Sequence, residues 1–330
     1  MKNLFRLAAV AMLAALATSC SWRQGRAGDG AGRKRFTNEV LLRYTPVKDQ
    51  GRSPLCWAYS MLSTIETEHI MMGDSVNLSV DYIARRLLAE QARCHFLSRG
   101  YDRITLRGTM PLLLRLVGEY GIVPYDSYNA PSVNYVALGR RLALLSKGSA
   151  DMSQMSRRAE DMFDKRIGHL PKTVYMFGAE YTPMQFAHSV CMRGEYMALT
   201  SFTHHPFGEN FAIEVPDNYS DELFYNVPID VMMRRIERSL RMGHPVCWEG
   251  DVSEPGFSFE RGVAELPDGH PCTQDERQAY GGRYLGIAVL RQVHGIERAV
   301  ESTQNHGACV GHGAVEIEDY NFFHSEWVNG

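Results

Sequence analysis

Between Pro46 and Ser60 the chain reads Pro-Val-Lys-Asp-Gln-Gly-Arg-Ser-Pro-Leu-Cys-Trp-Ala-Tyr-Ser, with a cysteine at the head of an apolar run and a glutamine six positions before it. A thiol becomes a useful nucleophile when its thiolate is stabilised, which the partial positive charge and unpaired N–H groups of a helix N-terminus can do. Cys56 is therefore a candidate nucleophile. The turn formers between Gly51 and Pro54 can fold the chain back so that the Gln50 amide and the Cys56 N–H point at one developing oxyanion. A thiolate also needs a base that can protonate a leaving amine, and histidine suits that task. Twelve histidines are available, and three of them, His294, His306 and His312, precede a glycine.

Taken alone, a cysteine beside tryptophan at a helix start is more often buried packing than chemistry. The whole string argues otherwise, because it resembles the nucleophile region of papain-like peptidases, where Gln, a Gly-containing turn and Cys-Trp lead into a central helix. Ser53-Pro54-Leu55 stands where papain itself has Cys-Gly-Ser/Ala, so a disulfide partner is missing but no catalytic group is. Further stretches, Gly118 to Pro124, Tyr181 to Phe186, Val215 to Asn218, Tyr225 to Pro228 and Gly243 to Val252, are similar in content and order to the bleomycin hydrolase and aminopeptidase C group.

This resemblance implies a peptidase that trims peptides through a Cys-His thiolate, with Cys56 as nucleophile, Gln50 at the oxyanion and no cofactor. It selects His306 as base, from the string Ser302 to Gly311, with His312 and His294 as alternatives. The group's Asn-Ser-Trp-Gly string is absent, and alignment on Trp327 puts Ser325 where the orienting Asn is expected. That departure supports an alternative reading, a catalytically impaired relative kept as a surface-anchored peptide-binding or interaction module. Relatives often form hexamers, so a homo-oligomer is a further implication.

The elements around these residues suit an α+β, papain-like fold, with a helical N-terminal half bearing insertions and an antiparallel β C-terminal half. Apolar spacing predicts helices over Trp57 to Met71, Ser79 to Glu90 and Pro111 to Glu119. A long helix-prone segment covers Ala137 to Arg166, and further helices are expected over Pro183 to Cys191 with Thr182 as N-cap, and over Val227 to Met242. Strands are expected at Pro245 to Glu249, Tyr284 to Leu290, Ala308 to Ile317 and Tyr320 to Phe323, so the order reads helices first and sheet last.

The N-terminus predicts export. Lys2 and Arg6 precede an apolar run from Leu7 to Leu16, and Ala17-Thr18-Ser19-Cys20 resembles a bacterial lipobox, with Cys20 as the lipidated residue. The expected organisation is a signal over 1–20, a tether over 21–35 and a peptidase domain over 36–330 with a helical insertion at about 131–200, periplasmic or on the cell surface. The six cysteines after Cys20 are too scattered for a dense disulfide framework. A composition of 45% hydrophobic and 22% charged residues is that of a globular protein, and a net charge of −3 gives no field to attract nucleic acid. No metal is expected: His306, Cys309 and His312 recur at spacing three among strand and turn residues, and the adjacent His204-His205 pair and Cys272 are no stronger as candidates.

Overall fold

The helix expected behind Cys56 forms as α1 (Cys56–Met72) and is buried along most of its length. Trp57, Ala58, Met61, Leu62 and Ile65 give it an apolar face, and its later turns bury Glu66, Thr67, Glu68 and His69 as well. A helix enclosed on nearly all sides must satisfy those polar groups internally, which makes each of them a tie to another element. The computed structural model describes residues 37–130, 133–250, 257–258, 263–264, 287–292 and 315–316.

Helix α2 (Val80–Leu97) begins where Ser79 Oγ accepts the Tyr82 N–H at 3.0 Å, and α3 (Met110–Tyr120) carries Pro111 in its first turn. The helix-prone stretch from 137 to 166 divides into α4 (Tyr135–Lys147) and α5 (Met152–Arg166), each opened by a capping side chain, Asn134 and Asp151. Gly148 to Asp151 is rich in helix-stopping residues, and that explains the break. A short hairpin, β1 (Val174–Met176) and β2 (Ala179–Tyr181), leads to α6 (Pro183–Val190), where Thr182 and Gln185 form a reciprocal capping box. Helix α2 packs against α3, α4 and α5, while α3 packs against α1 and α6.

The main sheet is built from β3 (Tyr196–Thr200), β4 (Asn210–Ala212), β5 (Leu223–Asn226), β6 (Val246–Glu249) and β9 (Ile287–Arg291), in the order β4-β5-β3-β9-β6. All its pairs are antiparallel except β3 with β5. Three strands therefore precede α7 (Ile229–Arg241), which corrects the expected helices-then-sheet order. A separate antiparallel set joins β7 (Phe257–Ser258), β8 (Val263–Ala264) and β10 (Val315–Glu316). The strand expected at Tyr320 to Phe323 lies outside the described residues.

Strand β9 shows why the sheet is central. Ile287 and Val289 point into the main core, whereas Ala288 and Leu290 pack with Leu199, Val227 and Met232 in a second core. With period-two alternation, a strand apolar on both faces must be covered on both. Helix α1 packs on β6, and α7 packs on β3, β6 and β9.

Candidate active site

Cys56 is the first residue of α1, behind Leu55 as N-cap. Leu55 caps without a side-chain bond, no acidic residue sits in the first turn, and the Leu55 carbonyl takes the N–H groups of Ala58 and Tyr59 at 2.9 and 3.0 Å. The N–H groups of Trp57 and of Cys56 itself instead favour the sulfur's thiolate form. The adjacent Trp57 is fixed by its Nε1–H, which donates to the Leu106 carbonyl at 2.9 Å. Gly108 backs the indole so closely that a Cβ there would lie 2.8 Å from Trp57 Cε2.

The segment before the helix is held just as firmly. Gly51, with φ of +57°, donates its N–H to Asp49 Oδ1 at 2.7 Å, and the Ser53 N–H reaches back to the Gln50 carbonyl at 3.2 Å. The chain thus reverses beside Gln50, whose side-chain Oε1 is buried. From about three turns deeper in α1, Glu66 accepts the Thr45 hydroxyl at 2.6 Å, the Leu78 N–H at 2.6 Å and the Lys48 ammonium. One fully buried carboxylate therefore pins the loop on which Gln50 rides.

The field at the thiol is acidic. Burial raises the Cys56 pKa, Glu249 and then Asp217 raise it further, and the two N–H groups oppose them. Glu249 ends β6, two residues past Cys247 on the strand face turned to α1, while Trp248 between them is exposed. Glu249 keeps some contact with solvent, but its Oε2 is sealed and has no hydrogen-bond partner among the described residues; burial, with Asp217 nearby, pushes its pKa up to about 7. Asp217 is itself paired with Arg107, at 2.7 Å from Nε and 3.1 Å from Nη2. A cation placed beside Cys56 and Glu249 would relieve both raised groups. Cys247 is a different kind of thiol, pushed up to about 12 by burial, and belongs to the core.

Of the residues singled out from sequence, Cys56 and Gln50 are thus positioned on one rigid loop-helix unit. His306, His312, His294, Cys272, Cys309 and Cys20 lie outside the described residues. The cysteines that are described, Cys56, Cys94, Cys191 and Cys247, are all free thiols. The sequence reading missed Glu249, Asp217 and Arg107. An inward-facing acid in the alternating Val-Cys-Trp-Glu strand was the available signal. The His204-His205 pair, dismissed as a metal site from the sequence, is brought together by the fold with Glu214, which no sequence signal pointed to.

The buried helix with a cysteine at its head, the helical N-terminal half and the mainly antiparallel sheet behind it define a papain-like α+β fold. No family model matches the chain, and no curated protein does. Among solved structures, the crystal structure of PepW from Lactobacillus rhamnosis HN001 (DR20) is similar, with a TM-score of 0.53 over 80% of this chain and 84% of that one. Sequence identity is 16%, so the likeness is one of fold.

Proposed function

We propose that the chain is a cysteine peptidase that trims peptides from their N-terminus, with Cys56 as nucleophile. The observation that carries this reading is the sulfur's position at the head of a buried helix, where the N–H groups of Cys56 and Trp57 favour its thiolate form. Cys56 attacks the scissile carbonyl, and the oxyanion is held by the Cys56 N–H and the Gln50 amide. His306, as imidazolium, gives its proton to the leaving amine. Water then attacks the thioester, releasing the acid and restoring the thiol. Glu249 and Asp217 support an aminopeptidase-like substrate, because the α-ammonium of a free peptide N-terminus would complement the acid at the thiol's side.

The test is carbamidomethylation by iodoacetamide at about pH 5.5, where an ordinary thiol is almost wholly protonated, with the modified residue located by peptide mass spectrometry. Fast labelling confined to Cys56, lost in His306→Ala and kept in His312→Ala, is expected. Hydrolysis of aminoacyl amides should fall roughly 10³-fold or more in Cys56→Ala, and N-acetylation of the substrate should abolish it. Labelling of Cys56 at the rate of an unfolded peptide would instead favour the binding-module reading, which the raised thiol pKa motivates. Export and lipidation at Cys20 belong to the same proposal, tested by incorporation of a labelled fatty acid that Cys20→Ala prevents.

A further inference from the structure

Away from Cys56, the turn after β3 carries the adjacent His204 and His205, and the loop after β4 carries Glu214. One ligand atom from each of the three lies within 4.8 Å of the other two. We propose that these residues form a binding site for a single divalent cation of the zinc class. Two imidazoles and a carboxylate, with a fourth position left for water, are a donor set that such an ion takes readily. Ligands at zinc's bond lengths of about 2.0–2.2 Å sit about 3.3–3.5 Å apart in a tetrahedron. The three groups therefore need to close by no more than about 1.5 Å, and Glu214, an exposed side chain, can supply much of that movement.

Two features separate the cluster from a chance meeting of surface groups. His205 Nε2 is sealed from solvent and has no hydrogen-bond partner among the described residues, an arrangement that costs free energy unless something satisfies the nitrogen. The His205 ring is also held in place, stacked on Phe211 of β4 with centroids 3.9 Å apart and planes 23° apart. The two ligand-bearing loops are then each locked by one buried asparagine. Asn226 accepts the Phe202 N–H at 2.8 Å and donates to the carbonyls of Phe202, His205 and Pro206 at 2.8 to 3.1 Å. Asn218 accepts the Glu222 N–H at 3.0 Å and donates to the Ile213 and Glu222 carbonyls, closing the loop that contains Glu214. Second-layer contacts of this kind orient ligands in built metal sites.

A role follows from what shares the second loop. Asp217 lies three residues beyond Glu214 and acts electrostatically on both Cys56 and Glu249. An ion joining the β3 turn to that loop would fix the wall beside the thiol without entering the chemistry. It would be structural.

The experiment is a calorimetric titration with Zn²⁺ of untagged full-length protein, stripped by chelator and returned to chelator-free buffer. It is done in a Cys56→Ala background so that the candidate nucleophile does not compete as a ligand. One equivalent per chain and a raised thermal midpoint are expected, and His204→Ala, His205→Gln and Glu214→Gln should each weaken binding roughly tenfold or more. Glu214 is exposed, so its variant keeps the fold and isolates the metal effect even if a His205 variant does not. Co²⁺ in place of Zn²⁺ should give the visible absorption of a four-coordinate ion. Failure of the starting protein to bind stoichiometrically, or binding that persists in both His204→Ala and Glu214→Gln, would overturn the site.

Discussion

Glu249 is the residue where local physics and proposed chemistry press in opposite directions. Its carboxyl is raised to about 7 from an ordinary 4.5, so between those values the folded chain holds a proton that the unfolded chain has released. Stability contributed by that proton is fully present below pH 4.5 and is lost as pH rises through 7. The shift corresponds to about 3–4 kcal/mol. Glu249→Gln should therefore flatten the decline in urea midpoint between pH 5 and 8; an unchanged decline would place its cause elsewhere. The same substitution removes the larger of the two charges that raise Cys56. The rate of iodoacetamide reaction should then reach its half-maximum at lower pH, with several-fold faster labelling at neutrality. Peptide hydrolysis should move the other way, with KM rising more than kcat falls, if the carboxylate meets a substrate ammonium.

At the level of elements, the loop before α1 is only as well placed as Glu66 makes it. Replacing Glu66 by Ala would strand the Lys48 ammonium and the Leu78 N–H together, a change that costs about 3–5 kcal/mol when it breaks a buried pair. A denaturation curve would show it, and Gln at the same position, which keeps an acceptor, should lose less. Equal losses would mean that packing, not the ion pair, holds the loop. Much of this architecture was legible in advance because helix-start chemistry is local: Thr182 and Pro228 announce α6 and α7 in adjacent residues. Strands β3, β4 and β5 were not legible. They are three to five residues long and mix polar with apolar positions, and β3 finds its long antiparallel partner in the distant β9. The candidate site divides the same way. Cys56 and Gln50 share one contiguous string, whereas Glu249, Asp217 and the His204, His205 and Glu214 cluster exist only once separate loops have folded together.

Across the whole molecule, the helix that presents the thiol must be joined to the sheet that forms the other wall, and a second buried acid makes that connection. Glu68 Oε1 meets Arg291 Nη1 of β9 at 2.6 Å and His244 Nδ1, just beyond α7, at 2.6 Å, while Arg291 Nη2 reaches Glu195 at 2.8 Å. The tie thus runs from α1 to the strand between β3 and β6 and to the helix behind them. Apolar contacts alone would leave some freedom for α1 to slide along the sheet, since they carry little direction. Charged hydrogen bonds do carry direction, and they fix the register. Arg291→Met leaves Glu68 buried with much of its compensation gone, and should cost about 3–5 kcal/mol in urea unfolding. Glu68→Gln should cost less, because Arg291 retains Glu195. When both are changed, the loss should be smaller than the sum of the single losses by at least about 1 kcal/mol, the signature of groups in one network. Strict additivity would show that α1 and β9 are held by packing alone. The coupling would then have no bearing on the thiol. If coupling is found, the double variant should also label more slowly at Cys56 than its stability predicts, because a helix free to shift no longer aims its N–H groups at a fixed sulfur.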